Sequence, residues 1–111
     1  MGYILKESDI NCFLSEVEQT FPNFVAGVIT DEDGFSIAAK IPRNFHIHEN
    51  NLALSAIAGN RDFIKDARYM QVKRDLDKSK RVKMLILLEK SNQYLNRFKE
   101  LRTLIETQDL F

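Results

Sequence analysis

The stretch VITDEDGFSIA, Val28 to Ala38, decides the fold. Three consecutive acids and a glycine separate two short runs of apolar and β-branched residues. Asp31, Glu32 and Asp33 have the oxygen ligands that a calcium or magnesium ion takes. An EF-hand loop, however, wants its glycine at the sixth position and a bidentate glutamate at the twelfth, and this stretch has neither. Asp-Gly between alternating apolar residues is instead a strong hairpin signal, because a two-residue type I′ turn requires positive φ at both central positions. Asp31, Asp33 and Gly34 are therefore expected to reverse the chain.

Working outward, Phe24 to Thr30 reads as one strand of the hairpin and Phe35 to Ile41 as the other, with Phe35, Ile37, Ala39 and Ile41 alternating against Ser36, Ala38 and Lys40. Upstream, Ile10, Phe13, Leu14, Val17 and Phe21 recur at helical spacing. Ser8 stands as the expected cap, Asp9 lies in the first turn, and Pro22-Asn23 is the stop. Downstream, Pro42 to His48 reads as a loop and a second helix begins near Glu49. Its first half, NLALSAIAG, is apolar nearly all round, whereas a helix lying on a sheet as the outer layer of a monomer shows a polar opposite face. One side is expected on the sheet and the other against a second helix or another chain. Burial wholly within the chain is the plainer alternative, and 111 residues make it harder to arrange. Arg61 to Arg68 turns amphipathic again through Phe63, Ile64 and Ala67.

Met70 to Leu76 reads as a short strand before a charged turn. Val82 to Glu89, VKMLILLE, is a continuous apolar run of the length of a strand buried on both faces. A last helix is expected from about Asn92, with Tyr94, Leu95, Phe98, Leu101, Leu104 and Ile105 as its apolar stripe. The order α-β-β-α-(β)-β-α describes a single α+β layered domain over residues 1–111, a small, mostly antiparallel sheet flanked by helices.

Composition narrows the function classes. Apolar residues make up 44% and charged residues 29%, with four glycines and two prolines, which is a globular and not a disordered pattern. No run approaches the ~20 apolar residues of a membrane span, and the acids Glu7 and Asp9 directly after Met1 to Lys6 do not fit a secretory leader. A cytoplasmic protein is expected, and the single Cys12 suits a reducing compartment. Cys12 has no neighbouring base to activate it and reads as a buried, inert thiol. His46 and His48 have an H-x-H spacing with little else around them, so they read as loop residues and not as metal ligands. Phosphate-loop, nucleophile-elbow and zinc signatures are all missing, so no catalytic residue, cofactor or metal is expected.

Net charge is zero but uneven. Residues 1–34 carry one base and seven acids, while residues 61–83 carry nine bases and four acids. The basic stretch is interleaved with Asp62, Asp66, Asp75 and Asp77 and holds only Phe63 and Tyr69 as aromatics, so a solvated face is the plainer reading. Nucleic-acid binding through residues 61–83 is the alternative function, and an enzyme using Asp31, Asp33 and His46 is a remote third.

Three stretches, in this order and behind a leading helix, resemble the roadblock family, the small dynein-light-chain-type domains also found in the Ragulator scaffold and in bacterial and archaeal partners of small GTPases. They are the hairpin FVAGVITDEDGFSIAAK, the alanine-rich helix LALSAIAG, and KMLILLEKSNQYLNRFKELRTLI, which is similar to the last strand and closing helix of the family. The resemblance implies a non-catalytic module. It implies a homo- or heterodimer that scaffolds or regulates a small Ras-like GTPase, another roadblock-type protein or a larger assembly. It places the dimer interface at Leu52, Leu54, Ala56, Ile57, Gly59 and Phe63 on the second helix, and at Met70 and Val72 on an edge strand. Arg43 is the least implausible arginine finger. In one respect the chain departs from the family. Roadblock domains have three strands between the second and third helices, and Tyr69 to Arg81 leaves room for one fewer.

Overall fold

A computed structural model describes residues 7–58, 66–108 and 110. The chain runs α1 (Glu7–Thr20), β1 (Phe24–Thr30), β2 (Ser36–Lys40), α2 (Glu49–Ile57), β3 (Tyr69–Asp75), β4 (Lys83–Glu89) and α3 (Arg97–Thr107). The four strands form one antiparallel sheet in the order β2-β1-β4-β3, an α+β layered fold with two strands between α2 and α3 among the described residues.

Strand β4 is central, and its sequence shows why. Met84, Ile86 and Leu88 point into one apolar cluster, with the inward residues of α1 and Leu101 of α3; Leu85 and Leu87 point into the other, with Ala26, Val28, Leu52, Ala53 and Ala56. All five β4 residues are fully buried, so a strand with two apolar faces is the only kind that fits this place. Among the described residues the layers are thus α1 and α3 on one face and α2 on the other. In β1, Gly27 lets two neighbours close in: a Cβ there would meet the Phe24 ring at 2.9 Å and Ile86 Cγ2 at 3.1 Å.

Local geometry departs from the sequence reading at several points. The Asp-Gly hairpin is not a two-residue type I′ turn. Only Gly34 has positive φ, +85°, and Gly34 N–H donates to the Asp31 carbonyl at 3.2 Å while Asp31 N–H donates to the Phe35 carbonyl at 3.1 Å. Asp31 Oδ1 accepts from the N–H groups of Asp33 (2.9 Å) and Phe35 (3.0 Å), fixing a longer loop that ends in a left-handed glycine. Ser8, the expected cap, lies within α1. Cys12 is exposed and not buried, because Ile10, Phe13, Leu14 and Val17 take the inward face of α1. Helix α2 runs to Ile57, with the N–H of Ala58 donating to the Ser55 carbonyl; of the stretch Arg61 to Arg68 expected to be amphipathic, residues 61–65 lie outside the described residues, and Asp66 to Arg68 form the turn into β3. Helix α3 begins at Arg97, five residues later than expected. Ser91 Oγ accepts from Gln93 N–H, and the bonds from Arg97, Phe98 and Lys99 back to Tyr94, Leu95 and Asn96 are tight i→i+3 turns that leave Leu95 exposed outside the stripe.

Candidate interaction surface

Among the described residues α2 is the helix on its face of the sheet, and each of its ends meets a loop of the chain. At its start, His48 caps the helix, Nδ1 accepting from Asn50 N–H at 3.1 Å, and Glu49 lies in the first turn where the helix dipole favours an anion. The loop leading to it turns at Pro42, whose carbonyl accepts from Phe45 N–H, with Asn44 at φ +61°. Arg43 stands exposed in that loop. Phe45, Ile47 and Tyr69 pack beneath this end of the helix.

A polar knot seals the same corner. Asp66 is gripped by Arg68 through Nε (2.9 Å) and the backbone N–H (3.0 Å) on Oδ1 and through Nη2 (2.7 Å) on Oδ2, and His46 Nε2 lies 2.9 Å from that same Oδ2. The hydrogen-bonding guanidinium of Arg68 holds the Asp66 carboxyl well below the usual carboxylate range, and the carboxylate in turn raises the Arg68 guanidinium further. Arg68 also stands 5.2 Å over the Tyr69 ring, and the Phe45 and His46 rings pack at 4.7 Å. The effect is to tie the β2–α2 loop to the start of β3. Sequence reasoning missed this group because His46 and Asp66 are 20 residues apart and Asp66 fell in a segment read as helix.

At the far end, the turn carrying Asp31, Asp33 and Gly34 meets the last turn of α2. A Cβ built on Gly34 would lie 3.0 Å from Ile57 Cδ1 and 3.5 Å from Leu54 Cδ2. Asp31 is the structural member of the acidic run; Asp33 is exposed.

Six of the eight interface residues inferred from the family resemblance are described, and they divide into three groups. Leu52 (1% exposed) and Ala56 (5%) face the sheet, in the chain's own core. Leu54 is 40% exposed and Ile57 half-buried, so these two form the apolar outer side of α2; Phe35, which follows Gly34 in the turn that meets them, is 70% exposed. Met70 and Val72 lie on the opposite face of the sheet, packed in the cluster with α1 and α3. Gly59 and Phe63 lie outside the described residues. Helix α2 packs on β1, β4 and β2, and a cleft of about 260 Å³ separates its last turn from β3, lined by Ala56, Ile57, Lys73, Arg74, Asp75 and Lys83. Lys83 Nζ bridges to Asp75 Oδ1 across its floor at 2.6 Å.

Strand β3 is an outer edge. Leu76 N–H donates to the Val82 carbonyl, so by antiparallel alternation the even-numbered residues bond β4 and the Lys73 carbonyl points outward. Arg74 Nη1 donates to that carbonyl at 2.8 Å, which blunts the edge at this residue. Among the described residues, no group of three or more His, Cys, Asp or Glu gathers to hold a metal ion, and no helix is long and apolar enough to cross a membrane. No protein-family model matches the chain, and no curated protein matches it.

Proposed function

We propose that this chain is a non-catalytic interaction module of the roadblock type, which dimerises through α2 and presents the paired domains to a small Ras-like GTPase or a larger assembly. The observation that carries the reading is the outer side of α2. Among the described residues α2 is the helix on its face of the sheet; its outer side offers Leu54 and half-buried Ile57 against the turn at Gly34, after which comes exposed Phe35, and the cleft beside β3 leaves that strand uncovered. Apolar side chains clustered at a helix surface beside an open cleft suit a second helix. The element order and the antiparallel sheet agree with the family pattern less one strand.

In this reading any effect on GTP hydrolysis comes from repositioning the GTPase's own groups. The test is co-sedimentation of the purified chain with Ras-like GTPases loaded with GDP or a non-hydrolysable GTP analogue. A stable complex that Leu54→Glu weakens supports the proposal. Failure to bind any of them in either nucleotide state overturns the GTPase assignment.

A further inference from the structure

A groove of about 470 Å³ runs between β3 and α3, on the face of the sheet opposite α2. Phe98 and Ile105 form its apolar floor, and Arg74, Lys99 and Arg102 stand along its rims. It continues past Ile105 and Glu106 into a depression of about 330 Å³ beside Asp77 and Lys78.

The charges here do not cancel. Asp75 is taken by Lys83 at 2.6 Å and Glu106 by Arg102 at 3.1 Å; Asp77, whose Oδ1 accepts the backbone N–H groups of Arg81 and Val82 at 2.8 and 3.0 Å, keeps its charge, one negative against three cations. Arg74, Lys78 and Lys99 have no carboxylate partner among the described residues, and the one hydrogen bond of the Arg74 guanidinium goes to the neutral Lys73 carbonyl. Cations lacking counter-charges above an apolar floor call for a ligand that is both acidic and apolar.

We infer that the β3–α3 groove docks an acidic amphipathic peptide segment of a partner protein, with apolar side chains on Phe98 and Ile105 and carboxylates on Arg74, Lys99 and Lys78. A carboxylate is a stronger acceptor than a carbonyl, so Arg74 exchanges its bond to Lys73 for the incoming acid. Nucleic acid fits less well. Phe98 is the one aromatic among the lining residues, and its ring already packs on Phe21, centroids 5.3 Å apart, so successive bases find no row of rings to stack on.

The experiment titrates the isotope-labelled full chain with a short synthetic peptide in which Glu alternates with Leu and Phe, following backbone amide resonances. Three parallel titrations use the Glu→Gln peptide, oligothymidylate, and the double variant Arg74→Glu/Lys99→Glu. Lys90→Glu, at an exposed position outside the groove, is the control. Expected are shifts confined to β3 and α3, affinity about tenfold or more lower in the double variant, and unchanged affinity in Lys90→Glu. The Gln peptide is expected not to bind. No shifts, shifts centred on α2, or equal binding by the double variant overturns the proposal. So does displacement of the peptide by oligothymidylate from the same residues, which would assign the groove to nucleic acid.

Discussion

Gly34 and Ile57 meet where the hairpin turn abuts the last turn of α2: the glycine has φ +85°, and a Cβ on it would lie 3.0 Å from Ile57 Cδ1. Two demands converge on the position, a left-handed backbone and a close neighbour. The neighbour is the tip of a flexible side chain and can yield, so the backbone term dominates. Gly34→Ala is expected to cost ~1–2 kcal/mol, read as a lower urea midpoint at unchanged slope. A midpoint equal to wild type would show that the turn does not hold its left-handed form.

The acidic run gives a second, internal comparison. Asp31 Oδ1 accepts two backbone N–H groups, whereas Asp33 is exposed. Asp31→Ala is expected to lower stability by ~1 kcal/mol and Asp33→Ala to stay within ~0.5 kcal/mol of wild type. Equal effects would remove the assignment of Asp31 as the residue that shapes the loop.

How much of this was legible beforehand depends on the length scale of the interaction. Strand β4 could be read from Val82 to Glu89 because an uninterrupted apolar run has a meaning that does not depend on its neighbours. The hairpin could be placed but its turn type could not, since the outcome rests on where the Asp31 side chain bonds. The inward and outward sides of α2 were blurred by composition: Leu52 and Leu54 are the same residue type, and only the sheet beneath separates the buried one from the exposed one. Cys12 followed the reverse logic, sitting between inward positions in sequence but pointing away from them on the helix. The Asp66 knot was out of reach, because its partners come from separate loops that only the sheet topology brings together.

That knot predicts a pH signature. Folding depresses the Asp66 carboxyl, so Asp66 contributes its stability in full above its unfolded pKa of ~3.9 and loses it as pH falls from there through the lower folded value. Stability of the wild type and of Asp66→Asn, followed by urea midpoint from neutral pH downwards, is therefore expected to differ by a constant amount above pH ~5 and to converge below ~3.9. Curves that stay parallel through the acid range would show that Asp66 is not held ionised by Arg68.

Exposed apolar residues at the α2 surface should matter little to the isolated fold. With Leu54 40% exposed and Phe35 70% exposed, Leu54→Glu and Phe35→Ser are each expected to change monomer stability by no more than ~0.5 kcal/mol, measured by urea unfolding at high dilution. A larger loss in either would place that side chain in the chain's own core.

The most direct test of dimerisation through α2 is the solution mass of the purified chain by sedimentation equilibrium across a range of concentrations, for wild type and Leu54→Glu. Twice the chain mass of 12.9 kDa for the wild type, falling to 12.9 kDa for a folded Leu54→Glu, is the predicted result. A wild type that stays at 12.9 kDa throughout, or a dimer that Leu54→Glu leaves intact, would contradict it.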